Sequence, residues 1–172
     1  MKLCEDVAVW LAENGFRRGF GIVGGGNVHL WDALCRLGET DIVCMHHEQA
    51  AAQAATFYAR TCGEPALCLV TTGAGSTNAL TGVLAALFDY TPLLVISGNE
   101  PYPFVMGMDR VKGTQGFRTD LAVVPFVVRS YVMGGMPSHL EIDNLDALWR
   151  AARKYQGPVW CDIPKDVQTK GE

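Results

Sequence analysis

The stretch Asp41-Ile42-Val43-Cys44-Met45-His46-His47-Glu48-Gln49-Ala50-Ala51-Ala52 decides the architecture. Its first half is an apolar run of strand length. Its second half opens an alanine-rich helix over 48–61, with a single carboxylate at the junction. A carboxylate between a strand and a helix can be shielded from bulk water and made to share or donate a proton, which acid/base work requires. Glu48 is therefore the first candidate catalytic residue.

Working outward, the same unit repeats. Leu3, Val7, Trp10 and Leu11 share one helical face before the stop signal Asn14-Gly15. Phe20-Gly21-Ile22-Val23 then forms a short buried strand that ends in Gly24-Gly25-Gly26. Helices over 27–37, 48–61 and 76–88 alternate with strands over 42–45, 66–70 and 93–96. This alternation predicts an α/β fold of three layers, a parallel sheet with helices on both faces. Between Gly98 and Gly116 the prolines Pro101 and Pro103 and the glycines Gly107 and Gly113 predict a long irregular segment that forms part of a binding site. An apolar stretch over 121–128, a strand over 131–133, a helix over 145–155 and a strand over 159–163, closed by Pro164, complete the pattern. With no repeat or linker, one domain is expected over 1–172.

Composition narrows the function classes. The 172 residues are 49% hydrophobic and 19% charged, ordinary for a compact fold. A net charge of -4 without basic clusters argues against nucleic acid. Acids near the N-terminus and the lack of an apolar run of ~18 residues predict a cytoplasmic chain without a membrane span. Six scattered cysteines form no CxxC pair and are expected to be small, reduced core residues. His46 and His47 lack a third ligand at suitable spacing, so no metal site is expected, and one of the two should pack while the other is exposed.

Three segments fall where open parallel sheets place ligands, at the carboxyl ends of strands. They are Gly24-Gly25-Gly26, His46-His47-Glu48 and Thr71-Thr72-Gly73-Ala74-Gly75-Ser76-Thr77-Asn78. Neither glycine run is a GxxxxGK[ST] phosphate loop, and the Gly24-Gly25-Gly26 turn does not itself begin a GxGxxG pattern, since position 29 is His29, which argues against a doubly wound nucleotide binder using that turn.

Taken in order with Tyr58-Ala59-Arg60, Pro92 to Gly98 and Gly157 to Gln168, these segments resemble the aminopyrimidine-binding domain of thiamine-diphosphate enzymes. The branch is that of acetolactate synthase and its decarboxylase and carboligase relatives. The resemblance implies a six-stranded parallel sheet and thiamine diphosphate as cofactor. It implies that Glu48 hydrogen-bonds N1′ of the aminopyrimidine and promotes the imino tautomer that deprotonates the thiazolium carbon. It implies cofactor contacts from Ile22, Val23 and Gly24 on one side and Thr71, Ala74 and Asn78 on the facing loop, and places Gln115 near the substrate. Asn78 also reads as a simple helix-start residue, and Thr72 and Ser76 as caps. Arg60 reads as a helix-end ion pair, and Asp109, Arg110 and Arg118 as residues beside the long loop that could face a substrate carboxylate. Phe88, Trp31 and Trp149 read as core or interface.

Two departures stand out: Ile22-Val23 replaces a frequent Tyr-Pro, and Gly73-Ala74-Gly75 replaces Gly-Pro-Gly. The family's Gly-Asp-Gly segment, which holds Mg²⁺ and the diphosphate, has no counterpart here. The resemblance therefore implies half of a split 2-oxo acid decarboxylase or acyloin-forming synthase, inactive alone. Its partner would be a separate diphosphate-binding subunit carrying the Mg²⁺, assembled as α2β2 or α4β4. A domain excised from a longer enzyme would read the same. A non-catalytic regulatory module retaining the fold is the rival reading, and the retained Glu48 speaks against it.

Overall fold

The computed structural model describes residues 1–107 and 116–171. Its centre is a sheet of six strands, all parallel. These are β1 (Arg18–Gly21), β2 (Asp41–Cys44), β3 (Ala66–Val70), β4 (Leu93–Asn99), β5 (Arg129–Val132) and β6 (Pro158–Pro164), in the order β2-β1-β3-β4-β6-β5. The central strands β3, β4 and β6 are buried at every residue, as continuous apolar runs between two helical layers must be.

One face packs α1 (Leu3–Glu13), α2 (Val28–Leu37) and α7 (Ser138–Tyr155) over Leu67, Leu69, Leu94, Ile96, Val159 and Ile163. Here the rings of Trp10, Phe16 and Trp149 pack in sequence in tilted pairs. The other face packs α3 (Glu48–Cys62) and α4 (Ala74–Phe88) over Cys68, Val70, Val95 and Trp160. Gly82 lets α3 and α4 cross closely, because a Cβ there would sit 2.6 Å from that of Ala52. The short helices α5 (Tyr102–Gly107), α6 (Thr119–Ala122) and α8 (Lys165–Gln168) gather near the strand ends.

The order of the sheet reverses between β1 and β3: β1 leads outward to β2, and β3 returns on the other side of β1. Such a reversal splays the connections at the carboxyl ends and opens a crevice there. The Gly24–Gly26 turn and the turn over 71–73 border it. At its base Gly26 lies against β4, where a Cβ on Gly98 would meet the Gly26 carbonyl at 2.0 Å.

Several expectations need correction. Helix α7 begins at Ser138 rather than 145, and a helix, α5, interrupts the segment expected to be irregular. The 121–128 stretch forms the end of α6 and a 3-10 turn over Val124–Phe126. Cys4, Cys68 and Cys161 are core residues, but Cys35, Cys44 and Cys62 are exposed, because they sit on the outer sides or ends of their elements; all six are free. Of the residues read as core or interface, Trp149 is core, Trp31 packs partly buried against that core, and Phe88 is 72% exposed at the end of α4, which leaves the interface reading for it. Among the described residues no helix is long and apolar enough to cross a membrane.

Candidate active site

His47 ends the link from β2 in an extended conformation and caps α3, its Nδ1 accepting the Gln49 N–H at 3.1 Å. That cap sets Glu48 as the first helical residue, where the helix dipole favours its negative charge. Both His46 and His47 are exposed, so neither packs as one was expected to. Glu48 itself is partly buried.

Across the crevice, Gly73 starts α4 with φ 66° and ψ -128°, a conformation open to glycine. Among the described residues the N-cap of that helix is Gly73 without a side-chain cap, and Thr72 and Ser76 are seen bonded elsewhere. Ser76 donates back to the Thr71 carbonyl at 2.7 Å, and Thr72 donates to Asn99 Oδ1 at 2.8 Å. Asn78, one turn into α4, donates from Nδ2 to Glu48 Oε2 at 3.0 Å. The first turns of α3 and α4 thus meet at the carboxylate. Glu48 Oε1 faces Gly75, where a Cβ would approach it to 3.3 Å, and among the described residues it takes no hydrogen bond.

The glycine turn after β1 completes the arrangement. Asn27 accepts the Gly24 N–H at 2.7 Å through Oδ1 and donates to the Ile22 carbonyl at 3.0 Å. The Gly26 N–H reaches Thr71 Oγ1 at 3.3 Å. Thr71 stands between the turns: a Cβ on Gly24 or on Gly75 would come within 2.8 Å of its side chain. Behind the turn, buried Gln168 donates to the carbonyls of Gly26 and Ile163 at 2.6 and 2.7 Å.

The structure therefore gathers Gly24, Thr71, Gly75, Glu48 and Asn78 into one neighbourhood. Ala74 lies exposed on its rim, Ile22 is partly buried at the end of β1, and Val23 is 48% exposed. Gln115, Asp109 and Arg110 lie outside the described residues. Arg118 is committed to Asp120 through two hydrogen bonds of 2.8 and 2.7 Å, and Arg60 to Asp89 at 2.5 Å. The crevice thus presents glycine backbone on two sides and a carboxylate with, among the described residues, one oxygen that takes no hydrogen bond, an arrangement open to a flat ligand that carries a donor. Among the described residues no group of three or more His, Cys, Asp and Glu side chains could hold a metal ion.

A second polar cluster escaped sequence reasoning. Asp162 on β6, fully buried, accepts from Ser97 Oγ and from Asn99 Nδ2 on β4. Burial pushes its carboxyl up to about 7, against the pull of those two donors. An acid inside an apolar strand bearing Trp160 and Cys161 is the one signal that could have flagged it.

Comparison with known proteins gives the chain's family. Residues 1–121 match the family described as thiamine pyrophosphate enzyme, N-terminal TPP binding domain. The acetolactate synthase of Arthrospira platensis is 38% identical over 160 residues, covering 91% of this chain and 27% of that protein. The acetolactate synthase isozyme 3 large subunit of Escherichia coli (strain K12) is 36% identical over 165 residues, covering 95% and 28%. The acetolactate synthase large subunit of Haemophilus influenzae is 35% identical, again covering 95% and 28%. The chain thus spans little more than a quarter of the length of the curated relatives it matches.

Proposed function

The chain belongs to the thiamine pyrophosphate enzymes, matching their N-terminal TPP binding domain, and we propose that it is the pyrimidine-binding half of a split enzyme acting on 2-oxo acids. Thiamine diphosphate, when bound, would supply an acidic thiazolium C–H whose conjugate base can add to a carbonyl and act as an electron sink. Glu48 would hold the pyrimidine ring nitrogen through Oε1 and exchange a proton with it, while Asn78 holds the other oxygen. Gly24 and Gly75 admit the flat ring, with Ile22 and Val23 on one wall and Thr71 and Ala74 on the other. The product would be an aldehyde or, with a second carbonyl compound as acceptor, an acyloin.

The observation that carries this reading is the junction of Glu48 and Asn78 at the reversal point of the sheet. A helix face supports the need for a partner. α4 has no charged residue along its length, and it exposes Ala74, Thr77, Asn78, Thr81 and Phe88. Beside them α3 exposes Gln53 and Phe57, the latter at 67%. An uncharged patch bordering the crevice suits a second protein layer that closes the site. We assign that layer to a separate subunit that binds the diphosphate and Mg²⁺, in an α2β2 or α4β4 assembly in the cytoplasm.

The test mixes this chain with a candidate subunit bearing a Gly-Asp-Gly segment, thiamine diphosphate, Mg²⁺ and pyruvate. CO₂ release is expected only when both proteins are present. Release by either protein alone, or none from a mixture whose two proteins co-elute, contradicts the reading.

A further inference from the structure

The buried cluster at the ends of β4 and β6 has a fixed direction of donation. Trp160 Nε1–H donates to Ser97 Oγ at 2.7 Å, so the Ser97 hydroxyl proton is left for Asp162 Oδ1, to which it donates. Asn99 Nδ2 donates to Asp162 Oδ2 and to the Phe117 carbonyl, the latter at 2.9 Å, with Thr119 Oγ1 at 3.4 Å. Asn99 Oδ1 accepts from Thr72 Oγ1 and from the Glu100 N–H, both at 2.8 Å. Ser97, Asn99, Thr119 and Asp162 are all fully buried, and Thr72 is 6% exposed. An ionised Asp162 accepts from both neighbours, one on each oxygen, without bringing a proton of its own into the cluster. A protonated carboxyl brings a donor to face a donor, and one of the two bonds is lost or reversed.

We propose that Asp162 is a positioning residue: as a carboxylate it orients Asn99, which clamps the turn over 71–73 to the segment entering α6, and a proton on Asp162 loosens that clamp. The turn carries Thr71 and leads into Gly75 and Asn78, so the wall opposite the Gly24 turn is set from behind by a group that touches neither cofactor nor substrate. Its consequence for the cofactor rests on the function proposed above; the clamp itself does not.

The surroundings favour titration near neutral pH. Burial raises the carboxyl to about 7, Asp120 adds to the rise, and Arg118, held by Asp120, opposes it. The Glu100–Lys165 pair, bonded at 2.7 Å, lies one residue beyond Asn99. The neighbouring Cys161 thiol is pushed well above its usual range by burial and stays neutral.

The test follows the Trp160 indole N–H by NMR on the full chain, without cofactor, from about pH 5 to about pH 9, together with amide hydrogen exchange corrected for its intrinsic pH dependence. One inflection near neutral pH is expected, with exchange over 72–75 and 117–119 about tenfold faster on its acid side. Ser97→Ala removes a donor to the carboxylate and should move an inflection in that exchange up by about one pH unit. Asn99→Ala should keep the Trp160 inflection yet make exchange over 72–75 fast at every pH. Asp162→Asn should abolish the inflection; where it fails to fold, the other two variants decide. No inflection in the wild type, or an inflection that leaves exchange over 72–75 unchanged, overturns the proposal. Because no cofactor is present, a failed Glu48 assignment leaves this result standing.

Discussion

Asn78 Nδ2 lies 3.0 Å from Glu48 Oε2 and joins the first turns of two helices whose contact residues are 30 positions apart. The bond is exposed, so Asn78→Ala should cost below about 1 kcal/mol of stability. Asn78→Asp is more telling. It sets a second carboxylate at hydrogen-bond distance, and one of the pair should then hold a proton to higher pH. Carboxyl-carbon NMR of Glu48 checks this; a titration identical to that of the wild type contradicts the contact.

Packing of α3 on α4 yields a prediction in which two effects compete. Gly82→Ala gains up to about 1 kcal/mol of helix propensity. The new methyl, however, would lie 2.6 Å from Ala52 Cβ and 2.7 Å from the Gln53 backbone nitrogen, and backbone cannot swing aside. Overpacking of this kind costs about 1–3 kcal/mol, so a net loss is expected in the urea midpoint. A stabilised variant contradicts the close crossing.

Stability should depend on pH through Asp162. Its folded value of about 7 lies above the ordinary 3.8, so between those values the folded chain holds a proton that the unfolded chain has released. Stability is therefore highest below about pH 4 in this contribution, falls as pH rises, and levels off above about pH 8. The slope is at most about 1.4 kcal/mol per pH unit. Protonation thus relieves a buried charge for the whole fold even as it loosens the local clamp. Denaturation of the wild type and of Asp162→Asn across this range checks the sign. A wild-type-minus-variant difference that is flat, or that rises with pH, contradicts it.

The strands were legible because parallel strands buried on both faces are continuous apolar runs, and Ala66–Val70 and Leu93–Asn99 are buried throughout. Glu48, Gly24, Thr71 and Asn78 were legible as positions at strand ends, where the sheet order reverses. Their mutual contacts were not, since they depend on how two helices separated in sequence meet. The first two turns of α7 were missed because residues 138–144 lack a clear apolar period. A tertiary anchor supports them: buried Glu141 accepts the N–H groups of Gly134, Gly135 and Met136 at 2.9, 2.8 and 2.9 Å. Helix α5 was hidden by Pro101 and Pro103, which read as breakers. Pro103 in fact falls in its first turn, where no N–H is required, and Asp166 Oδ1 accepts the Tyr102 N–H at 2.8 Å. Asp162 was overlooked because it stands within an apolar strand, and its partners Ser97 and Asn99 come from another.

Glu48 carries the account, and exchange of the thiazolium C2 proton with deuterated solvent measures its role most directly. In the reconstituted complex Glu48→Gln should fold and bind the cofactor, because an amide still reaches the ring nitrogen, yet exchange should slow by at least about 100-fold because it cannot move the proton. An exchange rate equal to that of the wild type, in a variant with cofactor bound, would contradict the central claim.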